Sequence, residues 1–450
     1  MLQRVDVSPR SLTAYKRLIE YELLHEINEL AARLQGCRVV HINATPRGGG
    51  VAEILGSLVP LHQSVGIDAH WYVLPPNEAF FQVTKQFHNW LQGSPGRLTA
   101  RHKRTYEDYL EQVAAQLGNL SADVWVVHDP QPLPLIAMAP LEGRTIWRCH
   151  IDCSASDRGI REYLLPWICK YDRALFSVPA CALGPLPAEQ VRIVYPAIDP
   201  LSEKNRWLPA TRARGILAGL GIDPRRPLVT QVSRFDRWKN PWQAVDAYRL
   251  ARQVVPGLQL ALVGVFSARD DPEAPRVYED VARHASGDPD VHLFTDAARV
   301  GDREISAFQA GSEVILQRSV REGFGLTVTE AMWKARPVVA TPVGGIKVQI
   351  QDGVNGFLTE DAGGCAERIV ELLRDRRLAR AIRTAARATV RARFLLPRLL
   401  RDDLRLYDEL LSGQLTRAPD RLAAHVQPET GHTTPAPLGT TAQRVHDPAG

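Results

Sequence analysis

Apolar and polar positions follow two rhythms along this chain. Short β-branched runs stand between stretches with apolar residues three or four apart, which predicts strands alternating with helices. The segment up to about Gln35 carries the helical spacing, and Gly36 ends it. Strands are predicted at "CRVVHIN" (37–43), "DAHWYVL" (68–74), "DVWVVHD" (123–129), "TIWRCHID" (145–152), "RALFSV" (173–178) and "VRIVYP" (191–196). Such apolar runs, separated by helices, belong to a parallel sheet buried on both faces.

From Ala197 to about Pro227 the rhythm breaks, with prolines at 200, 209, 224 and 227, as expected of a linker. It then restarts, with strands at "PLVTQVSRF", "LQLALVGV", "DVHLF", "SEVILQRS" and "PVVAT" and helices at "NPWQAVDAYRLAR", "PEAPRVYEDVARHA" and "REISAFQAG". The expected fold class is α/β, with two Rossmann-like domains and a ligand cleft between the carboxyl ends of their sheets. The boundaries read as a helical extension over 1–36, a first domain over 37–196, a linker over 197–226 and a second domain over 227–395. A further helix is expected over 396–412. The remainder, 413–450, is rich in Pro, Thr and Gly without apolar periodicity and reads as disordered.

Composition narrows the class. Apolar residues make up 45% and charged residues 23%, as in a globular protein, and a net charge of +5 points to neither nucleic acid nor an acidic membrane. The N-terminus is charged throughout rather than signal-like, and no apolar run is long enough to span a bilayer, so the expectation is a cytoplasmic protein. Six scattered cysteines read as reduced, mostly buried thiols; Cys149 and Cys153 lack the second close pair of a four-ligand metal site.

Candidate chemistry clusters at predicted strand ends. Gly48, Gly49 and Gly50 follow the first strand and precede a helix, an arrangement suited to a phosphate or sugar. Gly323 and Gly325 repeat it in the second half, between Glu322 and Glu330. "TPVGG" (341–345) reads equally as another such loop or as a structural turn. Arg234 and Lys239 leave a strand end, where Arg grips an oxyanion bidentately and Lys supplies a mobile point charge. His128–Asp129 and His150–Ile151–Asp152 end two strands of the first half, facing the expected cleft. The one D-x-D string, Asp288–Pro289–Asp290, reads as a turn entering a strand, so no metal and no cofactor are expected.

The strings "VSRFDRWKNP", "LVGVF", "REGFGLTVTEAMWKARPVVATPVGG" and "DGVNGFL" resemble the retaining glycosyltransferases of the GT-B fold. More narrowly, "HINATPRGGGVAEIL", "VVHDPQPLPL", "WRCHID" and "YPAIDPLSEKN" resemble the trehalose-synthesising glycosyltransferases and related trehalose phosphorylases, over about residues 37 to 395. The resemblance implies an acceptor domain first, a nucleotide-sugar domain second, and a last helix that returns to the first domain. It implies that Arg234 and Lys239 bind the diphosphate, that Glu322 binds the donor sugar and that Glu330 binds the ribose. Gly323, Phe324, Gly325 and Leu326 would form the donor loop, with Asp129 and His150 near the reacting sugar and Asp152 beside them.

A nucleotide sugar releases a charged diphosphate, so its transition state needs concentrated positive charge, which the Arg–Lys loop supplies. The reading is an enzyme that moves glucose from ADP-, UDP- or GDP-glucose to glucose, with retention, giving α,α-trehalose. Trehalose phosphorolysis, another sugar acceptor, and a non-catalytic sugar-nucleotide sensor are the alternatives. Front-face displacement and double displacement through Asp129 or Asp152 both stay open, as does a homodimer.

Overall fold

The computed structural model of the chain describes residues 2–264 and 273–413. The tail expected to be disordered, and the end of the "LVGVF" string, lie outside the described residues.

The N-terminal sheet has the spatial order Gln3–Arg4, Asp68–Val73, Arg38–Asn43, Val124–His128, Arg144–Cys149, Arg173–Phe176, Val191–Ile193. Gln3–Arg4 runs antiparallel to its neighbour, and the remaining pairs are parallel. The C-terminal sheet is parallel throughout, in the order Val291–Phe294, Gln259–Val263, Leu228–Val232, Val314–Gln317, Val338–Ala340, Phe357–Leu358. In each sheet the first parallel strand is flanked by strands that the chain reaches in opposite directions. That reversal opens a crevice beyond the carboxyl ends, between Arg38–Asn43 and Val124–His128 in one half and between Leu228–Val232 and Val314–Gln317 in the other. The fold is GT-B-like α/β.

Two segments depart from the sequence pattern. The expected helical extension holds one α-helix, Tyr21–Arg33, while its first residues add the antiparallel edge strand. A two-residue strand is too short to leave a periodic signal. The expected linker contains the helix Ala210–Ala218, whose Ala213 and Leu217 are buried against the helix Asp302–Gly311. Gly311 permits this approach, because a Cβ there would meet Leu217 Cδ1 at 2.7 Å.

The chain crosses between the halves twice, and the crossings hydrogen-bond to one another. Ile198 N donates to Phe394 O, and Leu396 N donates to Ile198 O, both at 2.9 Å. After the second crossing, the helix Leu396–Leu411 packs on Tyr21–Arg33 of the N-terminal half. Its Leu396, Leu399, Leu400, Leu404, Tyr407 and Leu410 form one buried stripe at helical spacing. Arg376–Arg393, before the crossing, buries Ala379, Ile382, Ala386 and Val390, and Asp375 caps its start.

Candidate active site

The strand Leu228–Val232 feeds a loop that Asp236 and Asn240 shape. Asp236 Oδ1 accepts from Trp238 N at 2.9 Å. Asn240, in the left-handed region at φ 45°, caps the helix Pro241–Val254. This loop lies beside the loop after Val314–Gln317, so residues far apart in sequence meet. Lys239 Nζ stands 2.6 Å from Glu322 Oε2. Ser319 Oγ and Gln317 Nε2 reach the same oxygen at 3.1 and 3.3 Å. No donor among the described residues reaches Glu322 Oε1 within hydrogen-bond distance, which leaves that oxygen as an acceptor. Arg234 Nη2 lies 3.7 Å from Asp236 Oδ2, an oxygen that also holds Lys85 Nζ at 3.1 Å. Burial alone would raise the Asp236 carboxyl, but Lys85 and Arg234 outweigh it and hold the group well below the usual carboxylate range.

Each glycine here has a physical reason. A Cβ on Gly323 would sit 2.0 Å from the backbone oxygen of His150, so this glycine lets the two halves touch. Gly325 has φ 88° and precedes the helix Leu326–Trp333. A Cβ on Gly344 would lie 1.7 Å from Glu322 O, and one on Gly345 would lie 2.4 Å from Phe324 Cα. The "TPVGG" turn is therefore a backbone support for the Glu322–Phe324 loop. Phe324 is buried in the core beneath it, and Leu326 faces Gly50 across the cleft, where a Cβ would stand 3.1 Å from Leu326 Cδ1. The start of the helix Gly50–Gln63, preceded by Gly48 at φ 93° and Gly49, thus faces the start of Leu326–Trp333. Unpaired N–H groups at two helix starts favour an anion between them.

Glu330 is fully buried, and the chain itself engages its carboxylate. Lys204 Nζ sits 2.7 Å from Oε1 and also 2.8 Å from Glu53 Oε2 in the other half. Gln309 Nε2 donates to Glu330 Oε2 at 2.6 Å. Burial would raise the Glu330 carboxyl, but Lys204 and Lys334 lower it on balance. Burial in turn pushes Lys334 down to about 7. Lys204 belongs to the "YPAIDPLSEKN" crossing, whose Asp199 takes Tyr15 Oη at 2.9 Å and Arg10 Nη2 at 3.0 Å.

In the N-terminal half, Asp129 has φ 62°, a strained conformation for a residue with a side chain. Its Oδ1 accepts from His150 N at 2.7 Å, so it orients the loop that carries His150. Asp152 is 2% exposed, and its Oδ1 accepts from Ser154 N at 3.0 Å, which fastens its own turn. His150 Nε2 lies 3.1 Å from His128 Nδ1. Burial pushes His150 down to about 3, with Arg148 acting the same way, so the ring is neutral in the physiological range.

Sequence reasoning missed Lys85, His88 and Asn89. They form a polar stripe on the helix Glu78–Leu91, otherwise packed through Phe80, Phe81, Phe87 and Trp90. Asn89 Oδ1 accepts from Trp238 Nε1 at 3.1 Å. Burial pushes His88 down to about 3, and the charges of Lys85, Arg234 and Lys239 add to that. Three polar residues at helical spacing on an apolar helix are the signal that could have located them. Asp288 and Asp290 lie before the amino end of Val291–Phe294, away from the crevice, where Arg252 and Arg226 hold them in ion pairs. Among the described residues, no group of three or more His, Cys, Asp or Glu is arranged to hold a metal ion, and no helix is long and apolar enough to cross a membrane.

Both halves of the chain are similar to known proteins. The family described as "Trehalose synthase, N-terminal domain" matches residues 41–183, and "Glycosyl transferases group 1" matches 216–389. A trehalose synthase of Rubrobacter xylanophilus is 44% identical over 91% of this chain and 100% of its own length. A trehalose phosphorylase of Pleurotus pulmonarius is 28% identical over 84% of this chain but only 58% of its own length. Among solved structures, a trehalose 6-phosphate synthase of Burkholderia multivorans superposes with a TM-score of 0.66 at 15% identity, over 85% of this chain and 99% of that one. Anabaena HepE in complex with UDP and glucose gives 0.60 at 16% identity, over 83% and 100%. At these identities the likeness is one of fold.

Proposed function

This chain belongs to the trehalose synthase family of GT-B hexosyltransferases, and on that footing we propose that it transfers glucose from a nucleotide-glucose to glucose, with retention, to form α,α-trehalose. The observation that carries the proposal is the Lys239–Glu322 pair, set in the switch-point crevice opposite His150. A diphosphate between the two glycine-led helix starts would gain Lys239 and Arg234 as counter-charges as its bond to the sugar breaks. Glu322, tied through Oε2, offers Oε1 to a sugar hydroxyl. His150, neutral and held by Asp129, meets the sugar from the other side. Glu330 receives the ribose once Lys204 shares or yields its carboxylate. The HepE complex with UDP and glucose supports a donor of this class.

The phosphorylase relative supports a second reading, in which inorganic phosphate occupies the same basic crevice and cleaves trehalose. Three incubations separate the readings: ADP-, UDP- and GDP-glucose with glucose, trehalose with phosphate, and maltose alone. The proposal expects trehalose and free nucleoside diphosphate from the first. Trehalose from maltose alone, or turnover confined to trehalose plus phosphate, would replace it.

A further inference from the structure

Three imidazoles form a line that runs from the crevice into the core. His150 Nε2 meets His128 Nδ1 at 3.1 Å, and His128 Nε2 meets His41 Nδ1 at 3.1 Å. The His150 and His128 rings are nearly parallel, 16° apart. His41 and His128 come from the two strands that flank the N-terminal switch point, and both are buried. The far end of the line, His41 Nε2, is buried and has no hydrogen-bond partner among the described residues. At the near end, His150 is half-buried and its Nδ1 is the ring nitrogen left for the crevice.

Three neutral rings joined by two hydrogen bonds have two proton arrangements. If His150 donates from Nε2, every donor points inward and His41 is left with a buried N–H that bonds to nothing. If His41 donates from Nδ1, the order reverses. His41 is then left with a bare ring nitrogen, and His150 carries its proton on Nδ1, facing the crevice. Buried N–H groups without partners are rarer than under-used acceptors, so the second arrangement is favoured. Burial disfavours the charged form of all three rings, and the nearby Arg148 guanidinium adds to that, so the line carries no positive charge.

We propose that His41 and His128 are positioning residues that fix His150 as an Nδ1–H donor aimed into the substrate crevice, toward an oxygen of the bound sugar. The inference rests on the reading of His150 as a substrate-facing group. Its primary test needs no substrate, so it stands or falls apart from the identity of the reaction.

In protein labelled with nitrogen-15 histidine, protonated and bare ring nitrogens are well separated in chemical shift, and His150→Gln identifies the His150 signals. The expected spectrum has the His150 proton on Nδ1. In His41→Leu, the donor that orders the line is lost. His150 should become a mixture of tautomers and kcat/KM should fall by on the order of tenfold, as for other orienting partners of a functional histidine. His41→Gln, whose amide can donate to His128 Nε2, should restore both. A wild-type spectrum with the proton on Nε2 overturns the proposal, as does an unchanged His150 tautomer in folded His41→Leu. If His41→Leu does not fold, the wild-type and His41→Gln spectra decide it.

Discussion

The backbone oxygen of His150 occupies the space that a side chain on Gly323 would need, with a Cβ there only 2.0 Å away. The two residues belong to opposite halves, so the contact measures how closely the cleft shuts. Gly323→Ala should hold the halves apart while leaving each core untouched. A displacement of about 1 Å at a reacting centre can cost on the order of a hundredfold in rate. We expect a loss of that size in kcat/KM with a near-normal melting temperature, and a larger radius of gyration by small-angle scattering. Unimpaired turnover in Gly323→Ala would show that catalysis does not require this contact.

Lys239→Ala should act on the chemical step. In the proposed reaction the ammonium beside Glu322 gains most when the departing diphosphate carries its full charge, and losing one such stabiliser costs roughly 3 kcal/mol, about a hundredfold in kcat. Lys239→Arg keeps the charge but not the geometry and should recover part of the rate. Steady-state kinetics of both variants check this, and wild-type kcat in the alanine variant removes Lys239 from the site.

Lys204→Met should strip Glu330 of its counter-ion in a fully buried position. Breaking a buried pair from one side costs roughly 3–5 kcal/mol. Lys204 holds the folded-state pKa of Glu330 below its unfolded value, so that stability is present above about pH 4.5 and is lost as pH falls through the folded pKa. The difference between wild type and Lys204→Met should therefore be largest at neutral pH and narrow below pH 4.5. Urea titrations at several pH values test it, and a gap that widens toward acid would contradict the assignment.

Acid should destabilise the fold early. Burial pushes His62 down to about 3, and His41 and His128 also lie well below 6.5. Below pH 6.5 the unfolded chain takes up protons that the folded chain refuses, so stability is full above that pH and falls as pH falls. Each histidine contributes up to about 1.4 kcal/mol per pH unit across this window. Denaturation between pH 7.5 and 5 should show a slope of several such units, and His62→Leu should lower it by one. A flat profile would mean that these rings gain protons in the folded state.

Much of this was legible in the residues because strands buried on both faces leave long apolar runs. Val39, Val40 and Ile42, or Val314, Ile315 and Leu316, announce a parallel sheet without help from any neighbour. The glycine turns before helices were legible too, although what Gly323 makes room for in the structure is the backbone of His150. Lys204 was hidden because its partners, Glu53 and Glu330, lie far away in sequence on either side. The histidine line was hidden for a related reason. His41 and His128 lie on adjacent strands and His150 just past the end of the next, and only strand order brings the three rings together. Lys85 and Asn89 were hidden in the same way, because their partners Asp236 and Trp238 come from the other half of the chain.

The hydrogen-bonded crossings at Ile198 and Leu395 give the C-terminal half the topology of an insert. Its entry and exit stand side by side, at the roughly 5 Å spacing of neighbouring strands. A module whose ends nearly meet can be cut out, exchanged with a relative's, or circularly permuted with little added loop. On the proposed reading, donor preference would be transplanted as one cassette, provided both junctions are carried together and Leu396–Leu411 stays with the half it clasps.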